Sequence, residues 1–233
     1  MHDTAMYDSE RIARGYAFDR PPVHEEILKA VNPPQVRRAL DVGCGAGRSK
    51  QALKPYADKV FGLEPNENMA RRHKELTVVA RAERLPFKDN SFQLITAAGV
   101  LNYVDNSLFL PEAARVLDPE ETGGLLLIYD FETGSHERLA GWLREFRELA
   151  PGDPDYAMDP RDLDFSAAGL TLESYQEFSV TIEMSLDGYQ RYILTETDAD
   201  IGQWCAQTLP RAFGTGPLAV VFDTYAARVR LDP

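Results

Sequence analysis

Three glycines at alternate positions, Gly43, Gly45 and Gly47, follow closely on an acid, Asp41. A backbone without Cβ atoms can bend tightly and approach a bound ligand closely. The spacing separates two kinds of ligand. A dinucleotide turn wants G-x-G-x-x-G. Here the third glycine comes only two positions after the second, and Arg48 stands where that pattern wants Gly or Ala. Asp41 points the same way, because a carboxylate beside a pyrophosphate would repel it. Glu64 falls 21 residues beyond Gly43. A carboxylate at that distance, ending a second strand, can accept both ribose hydroxyls of a nucleoside. The chemistry implied is the grip on a nucleoside, without a pyrophosphate.

These groups need a scaffold that brings strand ends together. Ala39, Leu40 and Val42 read as a short buried strand running into the glycine turn and a helix that carries Leu53. Lys59 to Glu64 reads as a second strand, and Pro65-Asn66 starts a helix through Met69. Thr77 to Ala80 is a third strand and Phe92 to Ala98 a fourth, apolar enough for a central parallel position. A helix follows with Leu108, Leu110, Ala113, Ala114 and Leu117 toward the sheet. Gly123 and Gly124 introduce a fifth strand, Leu125 to Tyr129, ending at Asp130-Phe131. From His136 to Leu149, the residues Leu139, Trp142, Leu143, Phe146 and Leu149 share one helical face. Ala150 to Arg161 reads as a loop. A short helix over Asp162 to Gly169 then precedes a strand at Leu170 to Val180, helices lie within Thr181 to Pro210, and Pro217 to Val229 is a last strand. Ahead of the first strand, Pro21-Pro22 interrupts any helix, and Glu25 to Val31 resumes one.

Several phrases carry a resemblance: Asp-x-Gly-x-Gly-x-Gly from Asp41, Gly62-Leu63-Glu64-Pro65-Asn66-Glu67-Asn68-Met69, and Pro111-Glu112-Ala113-Ala114-Arg115-Val116-Leu117-Asp118-Pro119. Together they resemble the class I S-adenosylmethionine-dependent methyltransferases, of the small-molecule, type 11-like kind. The motif-bearing stretch covers residues 38–130. The resemblance implies an α/β fold, a Rossmann-like three-layer sandwich. Its seven-stranded sheet is mostly parallel, with one antiparallel strand last. It implies a single domain over 1–233, an N-terminal lid over 1–32, and a helical insertion over 181–210 before the last strand.

The same resemblance implies S-adenosylmethionine as cofactor, S-adenosylhomocysteine as product, and no metal. Asp41 would meet the cofactor's ammonium, and Gly43, Cys44, Gly45 and Gly47 would line its path. Glu64 would take the ribose, with Pro65 and Met69 beside it. Ala98 and Gly99 would face the methionine portion, and Asn102 and Tyr103 the acceptor. Tyr16 and Arg20, beside Phe18-Asp19-Arg20-Pro21, would reach in from the lid. Ala82 and Glu83 would meet the adenine. There the sequence departs from the family, whose aspartate ahead of the alanine is replaced by Arg81, a donor that cannot accept from an amine.

Composition bounds the rest. The chain has 233 residues, enough for one α/β domain, and a formal net charge of −12. That charge argues against nucleic acid or an anionic membrane as main partner. No apolar run is long enough to span a membrane and no signal pattern opens the chain, so a cytoplasmic protein is expected, as a monomer or homodimer. Cys44 and Cys205 have no metal-ligand spacing. Methyl transfer to a small-molecule acceptor needs positioning more than a catalytic set. The candidate bases are His24 and Tyr103. The alternatives are a non-catalytic binding or regulatory protein on the same fold and a dinucleotide-dependent oxidoreductase.

Overall fold

The computed structural model describes residues 5–120, 124–133, 137–151, 158–197 and 199–232. Two helices come first, α1 (Glu10–Phe18) and α2 (Val23–Val31), separated by the prolines. The alternating core follows as β1 (Val36–Val42), α3 (Arg48–Leu53), β2 (Ala57–Leu63), α4 (Glu67–Ala70), β3 (Thr77–Val78), β4 (Leu94–Ala98), α5 (Asn106–Val116) and β5 (Leu125–Thr133). The rest is α6 (Glu137–Leu149), β6 (Leu170–Met184), α7 (Leu186–Ile193), α8 (Gly202–Phe213) and β7 (Leu218–Leu231).

One seven-stranded sheet runs β3-β2-β1-β4-β5-β7-β6, and β7 is antiparallel to both neighbours. The three-layer, mostly parallel α/β sandwich expected from the sequence is the observed one. Chain order reverses between β1 and β4, which opens a crevice at the carboxyl ends of those strands. Val42 pairs with Leu63 on one side and Ala97 on the other. The residues after Val42, Leu63 and Ala98 therefore share one edge.

Apolar residues alternate between two cores. Leu125, Leu127 and Tyr129 pack with α2, α6, α7 and α8, while Leu126 and Ile128 pack with α5. On α6, Trp142 stacks on Phe146 and Trp204 at 5.5 and 5.1 Å, and its indole N–H donates to Thr208 Oγ1 at 2.8 Å. Large rings need this burial and a partner for the N–H.

Four expectations are corrected. Thr181 to Met184 continues β6 rather than beginning the helical insertion, because the alternating Thr-Ile-Glu-Met run pairs with Val221 to Leu218. The third strand stops at Val78. Leu108 is exposed, since Asp105 caps α5 so that Phe109, Ala113 and Val116 form the buried stripe at i, i+4 and i+7. Leu149 is exposed at the end of α6. Residues 152–157 of the expected loop, together with Gly123 and His136, lie outside the described residues. No helix among the described residues is long and apolar enough to cross a membrane.

Candidate functional site

The glycine turn is pinned to the second strand. The Cys44 N–H donates to Leu63 O at 3.0 Å. Glu64, 7% exposed, accepts the Gly45 N–H on Oε2 at 2.9 Å and the Asn66 N–H on Oε1 at 2.8 Å. Burial raises its pKa, and the two backbone donors work against that rise. Each carboxylate oxygen keeps lone-pair capacity beyond its one amide.

All three glycines of the turn have positive φ, for different reasons. At Gly43 (φ +66°) a Cβ would stand 2.5 Å from Val100 Cγ2, so the loop after β4 needs the space. At Gly45 (φ +52°) the one neighbour within 4 Å of that position is Met69 Cε, at 3.3 Å. The surface there is a cradle that a side chain would fill. Gly47 caps α3. Met69 packs with Ala13, Ala46, Tyr7, Tyr16 and Ala17 in a small cluster under the N-terminal segment, while Pro65 is exposed beside it. Cys44 turns its thiol toward Gly62, so only its backbone belongs to the turn; burial pushes the thiol pKa up.

Asp41 is fully buried, with Ser49 Oγ donating to Oδ2 at 2.5 Å and Thr96 Oγ1 to Oδ1 at 2.7 Å. It braces β1 against α3 and β4, and both its oxygens are engaged. Desolvation outweighs the two hydroxyls and pushes its pKa up to about 6. A carboxyl whose folded pKa lies above its unfolded value costs stability as pH rises between the two. Asp41→Asn keeps an acceptor for one hydroxyl and a donor for the other. The wild type should therefore lose about 2–3 kcal/mol relative to this variant between about pH 4 and pH 7. Urea melts of both proteins across that range check it, and a difference that does not move with pH contradicts it.

The N-terminal segment closes over this edge from two sides. Asn66 Nδ2 donates to Asp8 Oδ1 at 2.8 Å and Asn68 Nδ2 to Asp8 O at 3.2 Å. Arg11 donates to Leu194 O at 2.8 Å and Thr197 O at 2.7 Å. Ile12, Ala13 and Gly15 on α1 are buried. Tyr7 packs edge-on against Tyr16 (5.4 Å) and Tyr103 (6.1 Å), and the Tyr7 and Tyr103 hydroxyls are 3.1 Å apart. Arg20 lies 4.0 Å over the Tyr16 ring and 5.3 Å from that of Tyr192, and pairs with Glu196 at 2.8 Å. Its buried Nε has no partner among the described residues, which leaves a donor for a ligand. Burial raises the Tyr7 and Tyr16 pKa values, so both stay neutral phenols.

The remaining candidates fall in different places. Ala98 and Gly99 end β4 beside the glycine turn. Ala82 is buried, while Glu83 accepts the Asp105 N–H at 3.1 Å and lies 3.6 Å from Arg81. Glu83 is thus tied to the start of α5. Asn102 is buried and accepts the Met158 N–H at 2.9 Å. His24 Nδ1 meets Tyr129 OH at 3.1 Å, and its ring packs on Tyr129 and Phe131. Burial, then the Arg20 and Arg48 charges, lower its pKa to about 3. His24 is therefore a neutral imidazole, its ring packed on Tyr129 and Phe131 and bonded to the Tyr129 hydroxyl. Sequence spacing missed Ser49, Thr96, Glu196 and Tyr192, because their partners are brought in by the sheet and by α7.

A family model described as a methyltransferase domain matches residues 40–128. The chain is 32% identical over 149 residues to an uncharacterised methyltransferase of Mycobacterium bovis, covering 62% of this chain and 59% of that protein, so it spans less than two thirds of that relative's length. It is 30% identical over 210 residues to a demethylmenaquinone methyltransferase of Geobacillus kaustophilus, covering 83% of this chain and 82% of that protein. A candidate type II methyltransferase from Anaeromyxobacter dehalogenans shares the fold, with a TM-score of 0.65 at 21% identity, over 91% of this chain and 97% of that one.

Proposed function

The chain belongs to the class I S-adenosylmethionine-dependent methyltransferases, and on that premise we propose that it carries a methyl group from S-adenosylmethionine to a small-molecule acceptor. The observation that carries this reading is Glu64, buried at the end of β2 and bonded to the Gly45 amide across the crevice edge. A carboxylate there, beside a turn with an open cradle at Gly45, suits a ribose better than a pyrophosphate.

S-adenosylmethionine supplies an activated methyl on a sulfonium, so the protein's part is binding, orientation and exclusion of water. Glu64 would hold the ribose hydroxyls. The cradle at Gly45, bounded by Met69, would take the body of the ligand against the turn. Arg20, fixed by Glu196 and the Tyr16 ring, would offer its unpartnered Nε to a carboxylate. Tyr7, Tyr16 and Tyr103 would keep water out of the transfer point, where a low dielectric strengthens each polar contact. An acidic chain with a roofed crevice fits a small acceptor better than a polyanion.

The test is transfer of radiolabelled methyl from S-adenosylmethionine into the small-molecule fraction of a cell extract. The reading expects label in an organic product and none in protein or nucleic acid. Label found in a macromolecule contradicts the acceptor class. Cofactor binding with no transfer to any fraction would favour a binding protein on this fold.

A further inference from the structure

Asp130, on β5 next to the end of β4, has no part in the cofactor grip described above. Its Oδ1 accepts the Phe131 N–H at 2.8 Å and lies 3.1 Å from where a Cβ on Gly99 would stand. The carboxylate is therefore wedged against the turn that leaves β4. Along the sheet, Glu64 follows β2, the glycine turn follows β1, Gly99 follows β4 and Asp130 belongs to β5. On the proposed function, S-adenosylmethionine held at β2 and β1 would turn its methionine portion toward β4. In that strand order Asp130 comes after Gly99, its carboxylate against the turn.

We propose that Asp130 is the acceptor-side carboxylate of the transfer point, set against the sulfonium before transfer and placed to take a proton from an N–H or O–H acceptor. This rests on the methyltransferase reading. In the step it serves, a lone pair of the acceptor forms the new bond to the methyl carbon. The carbon–sulfur bond breaks with its electron pair left on sulfur as a thioether, and the acceptor's proton passes to the Asp130 carboxylate. The acceptor class that follows is a small amine or hydroxyl compound. A carboxylate acceptor has no proton to give and would be repelled.

The charge on Asp130 is suited to such an exchange. Burial pushes its pKa up to about 7, with the Phe131 N–H opposing; Glu196 and Glu132 add to the rise and Arg20 reduces it. Tyr129 and Tyr225, the phenols close enough to feel its charge, both have raised pKa values and stay neutral. The group thus passes between acid and base near neutrality, where proton transfer is most efficient.

The test needs no acceptor. S-adenosylmethionine and S-adenosylhomocysteine differ in the methyl and the sulfonium charge, so the ratio of their dissociation constants, with the Asp130→Asn ratio as the baseline for every other titration, reads the field that Asp130 sets at the sulfur. Calorimetric titrations should run from about pH 5.5 to about pH 8.5. In the wild type, preference for the sulfonium should grow by about fivefold or more across that range as Asp130 ionises. Asp130→Asn should lose most of that growth while keeping the wild-type value at the acid end, and Asp130→Glu should keep the slope, which covers the case of an Asn variant that folds poorly. A wild-type ratio that does not move, or the same slope in Asp130→Asn, overturns the proposal. Wild-type protein that binds neither ligand at any pH overturns the cofactor reading instead, and this inference with it.

Discussion

Gly45→Val should give a folded protein that no longer takes up S-adenosylmethionine. A Cβ there meets only the flexible end of Met69, at 3.3 Å, apart from its chain neighbours. The left-handed φ of +52° costs a branched residue roughly 1–2 kcal/mol, within what a domain of this size can bear. The two methyls then occupy the cradle that the ligand would need. Circular dichroism and a thermal melt should show a stable α/β protein, while calorimetry with S-adenosylhomocysteine shows no heat. Gly43 is the contrasting case. A Cβ there runs 2.5 Å from Val100, so Gly43→Ala should lower the melting temperature before ligand is added. Unchanged affinity in Gly45→Val would mean that the turn is structural only.

Glu64→Ala should weaken S-adenosylhomocysteine by roughly 10- to 100-fold, or about 1.4–2.8 kcal/mol. Hydrogen bonds to a charged group are worth about 1.5–3 kcal/mol each, offset by relief of the buried carboxylate's own desolvation. The structure adds a second loss. Without the carboxylate, the Gly45 and Asn66 amides lose their acceptor, and the turn is no longer held in the shape the ligand meets. Glu64→Gln keeps one acceptor oxygen, while its amino group faces the other backbone donor. Its affinity should therefore fall between wild type and Glu64→Ala. A ligand lacking both ribose hydroxyls should lose less affinity on the substitution than the intact ligand does, since only the loosened turn then counts. Wild-type affinity in both variants would reduce Glu64 to a brace for the turn.

The parts of the site visible in the sequence are those encoded by short spacing. The glycine turn sits within seven residues of one another with Asp41, and its strand and helix flank it directly. Glu64 is one strand away. The alternation of apolar strands and helices gives the sheet because each element buries its own face. Contacts across the fold leave no such trace. Asp41 was expected to face the ligand, yet Thr96, 55 residues on, turns it into an interior brace. Arg11 finds carbonyl partners 183 and 186 residues away on the segment after α7. His24 could be read from the sequence as a base or as a hydrogen-bonded histidine, and only the packing of Tyr129 and Phe131 shows its ring buried. The extent of β6 was hidden for a related reason. An alternating run beside predicted helices is settled by its partner strand, which lies more than thirty residues further on.

On the proposed function, this crevice grips an S-adenosyl nucleoside through Glu64 and the glycine turn. Calorimetric titration of the purified wild-type chain with S-adenosylhomocysteine, and separately with a nicotinamide dinucleotide, tests it most directly. One S-adenosylhomocysteine site per chain is expected, which at 100 times its dissociation constant adds about 2.7 kcal/mol of stability. No heat is expected with the dinucleotide. Saturable binding of the dinucleotide with none of S-adenosylhomocysteine would contradict it.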